Sequence, residues 1–339
     1  MDFGLLSFGT ALGERAAVSR IAPEYTADVG RILEYGYRHI HRCPPDTGIS
    51  DLAAEAAVQA LAESGTDPAD LDLIVLAITD IPEYLYWDPS AHLQERLGAP
   101  RAEAVLITQG CVGGITCLDT VAGRFATHPD YRRALVVGAN RTVEAYWNRM
   151  ETHSLLFSDG AAAAVVERGH ERRRWRVSEV LSDGRYAGFF RLEQGGSAEP
   201  FQAGRVPDEP VTVKDGWDIM EYFDYDTDAF SGFVELMNQR CADVVAAACR
   251  RSGIRPSDLS RVVLLNDNAR TLQEIAKRID VPIERTNLHF SLENGHFGAA
   301  DHLLNLNRLH RSGEVRPGDL VALVGMGRGM HWACALIEW

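Results

Sequence analysis

Two stretches of this 339-residue chain repeat at nearly one interval, and that repeat limits the fold more than any other feature. Ser64-Gly65-Thr66-Asp67-Pro68-Ala69-Asp70-Leu71-Asp72-Leu73-Ile74-Val75-Leu76 matches Ser252-Gly253-Ile254-Arg255-Pro256-Ser257-Asp258-Leu259-Ser260-Arg261-Val262-Val263-Leu264, an offset of 188 from Ser64 to Ser252. Leu135-Val136-Val137-Gly138 matches Ala322-Leu323-Val324-Gly325, an offset of 187 from Gly138 to Gly325. The first pair reads as a helix end, a Gly turn, Pro/Asp punctuation and a buried strand. Fixed-interval self-similarity marks a duplicated structural unit. The predicted organisation is an N-terminal α/β half over 1–170 and a C-terminal half over 171–339, with an irregular insertion over 171–228.

Each half supplies the same order of elements. An Ala-rich helix (Leu52 to Ser64; Phe233 to Arg251) precedes an apolar strand (Leu73 to Ala77; Val262 to Leu265) and a second helix (Ser90 to Leu97; Ala269 to Ile279). A short strand follows (Glu103 to Thr108; Arg285 to Phe290), then a Gly-containing turn into a small-residue helix (Cys111 to Ala126; His296 to His310). The last strand pair is Ala134 to Gly138 with Gly160 to Glu167, and Leu320 to Gly325 with Trp332 to Glu338. Apolar strands without alternation are covered on both faces, as in sheets layered between helices. The Glu171-Arg174 run and the acidic stretch from Asp215 to Asp228 read as solvated surface.

Charge excludes some partners. The chain carries 34 Lys+Arg against 48 Asp+Glu, a formal −14, and lacks the basic footprint of a nucleic-acid or anionic-membrane binder. No apolar run reaches the length of a membrane span, and the first residues have no basic flank of a secretory leader. A cytoplasmic protein with reduced thiols is expected. Its six cysteines form no CxxC or Cys/His cluster, so no metal site is predicted.

Three glycine-flanked turns are candidates for chemistry. In Gln109-Gly110-Cys111-Val112-Gly113-Gly114, a cysteine opens a helix, where the positive end of the dipole and nearby backbone N–H groups favour thiolate over thiol. Cys117, two turns into the same helix, and Cys241, Cys249 and Cys334, in apolar runs, read as packing residues, as does Cys43. Glu293-Asn294-Gly295-His296-Phe297-Gly298-Ala299-Ala300-Asp301 is the equivalent turn of the second half. A pseudo-two-fold axis would set His296 opposite Cys111 as general base. Gly325-Met326-Gly327-Arg328-Gly329-Met330-His331-Trp332 runs into a strand, not a helix. It suits a loop whose backbone at Gly327, Arg328 and Gly329 faces an oxyanion better than it suits a phosphate cradle.

With these residues in view, the chain resembles the ketoacyl-ACP synthase III group of the thiolase-like superfamily over nearly its whole length. The matching stretches are Gly36 to Arg42, Asp72 to Ala77, the Cys111 turn, Leu155-Leu156-Phe157-Ser158-Asp159-Gly160-Ala161-Ala162, Gly318-Asp319-Leu320-Val321 and Gly325 to Trp332. The resemblance implies a homodimer of a five-layered αβαβα thiolase-like fold, with Cys111 as acyl-accepting nucleophile and no cofactor beyond the acyl thioester. Condensing members carry a His in a His-Gln-Ala-Asn stretch and an Asn in a Gly-Asn-Thr-Ser-Ala-Ala turn. Here those stretches read Leu265-Asn266-Asp267-Asn268 and Gly295-His296-Phe297-Gly298-Ala299-Ala300. The surviving histidine in the Asn position resembles the non-elongating acyltransferases of the family. Glu34 also stands where coenzyme-A-using relatives have an Arg.

The expected activity is acyl transfer from an acyl carrier protein or acyl-CoA donor, through Cys111, to a hydroxyl or amine of a small-molecule natural-product acceptor. Two alternatives are a C–C bond-forming synthase in which His296 acts with Asn266 or Asn268, and an inactive dimer partner or carrier-binding scaffold. Asn266, Asp267 and Asn268 are candidates to orient His296; Asp301 is a lesser one, because five helical positions usually face apart. The expected pocket comprises Tyr84, Tyr86 and Trp87, reached across the dimer interface, with Phe157, Phe297 and His331.

Overall fold

The computed structural model describes residues 2–152, 154–192, 194–201 and 220–339. In chain order the strands are β1 (Phe3–Leu12), β2 (Glu14–Ala17), β3 (His39–Arg42), β4 (Leu73–Ile78), β5 (Glu103–Ile107), β6 (Arg133–Asn140), β7 (Gly160–Arg168), β8 (Arg174–Ser182), β9 (Arg261–Leu264), β10 (Leu320–Gly327) and β11 (His331–Glu338). The helices are α1 (Val18–Ile21), α2 (Val29–Glu34), α3 (Ile49–Ser64), α4 (Pro89–Leu97), α5 (Gly113–Thr127), α6 (Thr227–Ser252), α7 (Ala269–Arg278), α8 (Leu288–Asn294) and α9 (Asp301–Ser312).

The repeat seen in the sequence is a repeat of local geometry. α3 and α6 both end on a left-handed glycine, Gly65 at φ +66° and Gly253 at φ +69°. Only a residue without Cβ adopts this conformation at no steric cost. In both, the following N–H reaches back to the last turn, Thr66 to Leu61 and Ile254 to Cys249. A 3₁₀ turn then starts on proline, Pro68–Asp70 or Pro256–Asp258, and feeds β4 or β9.

Nine strands form one sheet in the order β5-β4-β6-β7-β1-β8-β11-β10-β9. β4 is parallel to β5 and β6, and β7 is antiparallel to β6 and β1. On the other side β9 is parallel to β10, and β11 is antiparallel to β10 and β8. Apart from the edge strand β5, the order therefore mirrors itself about the β1/β8 junction, where only Gly4 and Arg174 are in register.

Three apolar cores lie between the layers. One buries α3 against β4, β6 and β7, through Ala53, Ala57, Ile74 and Val137. Another buries α6 and α7 against β9, β10 and β11, through Val244, Ala248, Val262 and Leu336. Between them, Ile115, Leu118 and Val121 of α5 and Leu303 and Leu306 of α9 pack against strands of both flanks. The layers run helix, sheet, helix, sheet, helix: the five-layered thiolase-like arrangement.

Several expectations change. The sequence pattern predicts no element over Phe3 to Leu12, yet β1 is a central strand with Phe3, Leu5 and Phe8 buried. Arg285 to Phe290 is not a strand; a single bridge, Val262 to Thr286, stands there before α8. The Glu171-Arg174 run does not simply face water. Arg173 is buried, its guanidinium donating to the Leu5 and Leu6 carbonyls, and it leads into β8. The acidic stretch lies outside the described residues through 219; from 220 to 228 it is largely exposed, as expected.

Candidate active site

α5 and α9 each start from a 3₁₀ turn, Gly110–Val112 and Gly298–Ala300, 188 residues apart. These two starts face each other in the central layer. Cys111 sits in the first turn and His296 just before the second, and their Sγ and Nε2 atoms are 3.1 Å apart. His296 Nδ1 lies 2.6 Å from Asp301 Oδ2. Asp301 also accepts the N–H of Phe297 on Oδ1 at 2.7 Å and that of Asn266 on Oδ2 at 2.8 Å. His296 and Asp301 are fully buried. Burial works against a charged imidazole, but the Asp301 carboxylate and the Cys111 sulfur outweigh it and hold the His296 proton well above the ordinary histidine range.

This assigns the orienting group to Asp301. The helical-spacing objection fails because His296 is not helical. It pairs with Phe157 in an isolated bridge, and its chain turns at Gly298 before α9 begins at Asp301. Of the other candidates, Asn266 reaches the triad only through Asp301, its Nδ2 donating to the Gly295 carbonyl. Its Oδ1 receives the amides of Asn287 and Asn305. Asp267 and Asn268 contact neither ring nitrogen; Asn268 caps α7, accepting the Thr271 N–H.

The glycine-rich hairpin between β10 and β11 closes over the nucleophile. A Cβ on Gly327 would lie 2.4 Å from the Gln109 carbonyl and 3.1 Å from the Cys111 nitrogen. Gly327 and Arg328 line a cavity of about 910 Å³ that opens onto Cys111. Gly329 is not in that lining, and a Cβ there would meet the His331 ring at 2.5 Å.

The expected pocket residues separate. Phe157 lines the cavity. Phe297 is fully buried in the central core, held there because its own N–H is tied to Asp301. His331 turns to the Ser182 hydroxyl, 2.8 Å from its Nδ1, at the start of β11. Tyr84 and Tyr86 are exposed, and Trp87 packs on Tyr84 and His92; none of the three lines this cavity. Proline-led α4, capped by Asp88, carries their loop away from the site. Glu34 is in the cavity lining. Sequence reasoning missed Thr79, whose hydroxyl accepts the Ala299 N–H at 2.7 Å beneath the second turn. Asn287 was missed as well; neither has a motif to announce it.

Position separates Cys111 from the other five cysteines. Burial pushes the thiols of Cys43 and Cys249 up to about 11 and that of Cys241 up to about 12, and raises Cys117 and Cys334 as well.

A thiol, an imidazole and a buried carboxylate in line, in a layered thiolase-like fold, define a thiol-based acyl-transferring protein. Residues 107–184 match the family model for 3-oxoacyl-[acyl-carrier-protein (ACP)] synthase III, and residues 249–339 match its C-terminal model. The β-ketoacyl-[acyl-carrier-protein] synthase III of Gloeobacter violaceus is 32% identical, covering 93% of this chain and 91% of its own. The synthase III of Synechocystis sp. is 29% identical, covering 99% and 97%. The solved structure of ChlB3, an acyltransferase, superposes with a TM-score of 0.84 at 24% identity, over 100% of this chain and 98% of that one. The chain belongs to the 3-oxoacyl-[acyl-carrier-protein] synthase III family. Among the described residues no helix is long and apolar enough to cross a membrane.

Proposed function

We propose that this member of the family is a ping-pong acyltransferase that passes an acyl group from a carrier-protein or coenzyme A thioester, through Cys111, to a hydroxyl or amine, without decarboxylative elongation. The observation that supports it is the line from Cys111 through His296 to Asp301. The turn after β9, where condensing relatives place a histidine, offers only Leu265, Asp267 and Asn268 to the cavity. A site with one histidine backed by a carboxylate is suited to moving protons on and off a nucleophile. Among the described residues it lacks the His/Asn pair that would hold an enolate.

In the first half-reaction His296 takes the Cys111 proton, and Sγ attacks the donor carbonyl. The backbone at Cys111 and the Gly327-Arg328 stretch faces the oxyanion. Collapse expels the donor thiolate, which leaves with the proton from His296. In the second, His296 takes the acceptor proton as its oxygen or nitrogen attacks the acyl-Cys111 carbonyl. Cys111 departs as thiolate and recovers that proton. Asp301 keeps Nδ1 protonated throughout, so that Nε2 is the atom that exchanges protons. The protein acts as a homodimer in this reading, with the exposed Tyr84 to Trp87 loop at the contact between copies.

The test is to load the enzyme from a panel of acyl thioesters, follow adducts by intact-protein mass spectrometry, and add malonyl-ACP to the loaded form. The proposal expects a Cys111-dependent adduct and no carbon dioxide release. Carbon dioxide release when malonyl-ACP meets the acylated enzyme would overturn the non-elongating reading, and a 3-oxoacyl-ACP product alongside it would establish C–C bond formation instead. No adduct, or one that survives Cys111→Ala, would leave a scaffold role.

A further inference from the structure

Asp267 is a buried ionisable group in the cavity that acyl transfer leaves unused. Its side chain lines the same space as Cys111, and the residue is 3% exposed. The turn after β9 divides its duties by alternation: Asn266 points inward to the triad, while Asp267 faces the cavity. Oδ1 accepts the N–H of Asn268 at 2.7 Å and its side-chain amide at 3.2 Å. Among the described residues Oδ2 receives only the Ser154 hydroxyl, at 3.4 Å, beyond ordinary O–H···O length.

The charge balance around it is uneven. Arg278 is paired with Glu235, and Glu151 with Arg31. The other buried carboxylate of the cavity, Asp80, is satisfied by the N–H groups of Ile81 and Val143, one on each oxygen. Asp267 forms no ion pair among the described residues, and burial pushes its carboxyl up to about 6. Near neutral pH it is a carboxylate held out of water with one oxygen weakly served, which costs free energy until a donor arrives. Glu34 lines the same cavity and adds further negative charge.

The geometry points to an acceptor that carries a protonated amine besides the group to be acylated, with Asp267 as the carboxylate that binds that amine. An amino alcohol or diamine of this kind places its ammonium on Asp267 Oδ2, supported by the Ser154 hydroxyl, and presents its second nucleophile toward His296. A charge-assisted N⁺–H···O⁻ contact gives Oδ2 the strong donor that the described residues do not supply; the wall's own arginines, Arg270, Arg278 and Arg328, make no ion pair with it among those residues. The inference rests on the acyltransferase reading for the transfer step, but the binding step stands apart from it.

Two measurements test it, using trans-4-aminocyclohexanol and its N-acetyl derivative as probes. Saturation-transfer NMR on the unacylated enzyme reads binding alone: the free amine is expected to bind at least tenfold more tightly than the N-acetyl form. Asp267→Asn should bring this ratio close to one, with Asp267→Glu keeping part of it. On enzyme loaded from hexanoyl-N-acetylcysteamine, loss of the Cys111 adduct should show the same preference, again removed by Asp267→Asn. Equal binding of the two probes to wild type, or a preference that persists in a folded Asp267→Asn, overturns the inference. If Cys111 accepts no acyl group while the Asp267-dependent amine preference persists, the acyltransferase reading fails and the amine site stands.

Discussion

The backbone N–H of Asn266 and the imidazole of His296 share one carboxylate oxygen, Oδ2 of Asp301, at 2.8 and 2.6 Å. The base is thus fixed from both flanks of the cavity turn: the chain after β9 aims the acid, and the acid aims the ring. The amides of Asn287 and Asn305 converge on Asn266 in turn, so the carboxylate has a fixed location before any substrate binds.

Replacing Asp301 by Asn keeps the shape of that node while removing its charge and favouring the wrong ring tautomer. Acyl transfer should fall about 10³- to 10⁴-fold, as in other triads deprived of their carboxylate. The His296 titration, followed by NMR, should move to lower pH, because the carboxylate that stabilises the imidazolium is gone. A midpoint unchanged from wild type would count against Asp301 as the partner of His296.

His296→Ala should divide the two half-reactions. Loading from a good thioester donor persists in large part, since the leaving group is a thiol, whereas transfer to a hydroxyl drops by about 10²-fold or more with loss of its base. Single-turnover loading and adduct decay, read by mass spectrometry, measure each step; equal losses in both would contradict this division.

Gly327→Ala asks whether the hairpin sets the position of the nucleophile. Its Cβ would overlap the Gln109 carbonyl and press on the Cys111 nitrogen, and overpacking of this type costs about 1–3 kcal/mol. Cys111 acylation is expected to slow at least tenfold in a protein that still folds by circular dichroism. Wild-type acylation rates would show that this close approach is immaterial to catalysis.

Asp267 also predicts a pH signature in stability. Burial raises its carboxyl from the ordinary 3.8 to about 6 in the folded protein, so the native state retains the proton longer than the unfolded chain. Below about pH 3.8 the group is neutral in both states and contributes no difference; from there to about 6, rising pH costs native stability. The full cost, about 3 kcal/mol at 1.36 kcal/mol per pH unit, is present above that range. Urea unfolding at pH 4 and pH 7 should show Asp267→Asn gaining on wild type by up to that amount at the higher pH. A pH-independent difference would refute it.

The duplicated unit was legible because its signals are local. Gly65 and Gly253 end helices, Pro68 and Pro256 open turns, and the apolar strands are too continuous to lie at a surface. β1 was harder, because Phe3 to Leu12 is interrupted by Ser7, Gly9 and Thr10, small residues set by packing against α3. A Cβ on Gly9 would strike the Ala56 carbonyl at 2.1 Å, and Ser7 donates its hydroxyl to Ala60. At the site, Cys111 and His296 stood out through glycine-flanked turns. Asp301 was undervalued because helical spacing was assumed across Gly298, where a positive φ breaks it. Phe297 and His331 were assigned to the pocket by sequence neighbourhood, but side-chain direction is set by the bridge to Phe157 and by the pairing of β11 with β8.

Cys111 and His296 are separated by 185 positions in sequence, and Gly327, which abuts the nucleophile turn, comes later still. A ribosome therefore exposes the thiol long before its base exists, and the hairpin that covers it is made later than both. Until residues 296–301 emerge and fold against the Cys111 turn, the nascent chain carries a cysteine without its base or the carboxylate behind it, so transfer to a hydroxyl has to wait for both. Reactivity at this sulfur thus becomes a timestamp for completed synthesis: a chain truncated before residue 296 should resemble an ordinary thiol in labelling experiments, whatever secondary structure it has gained.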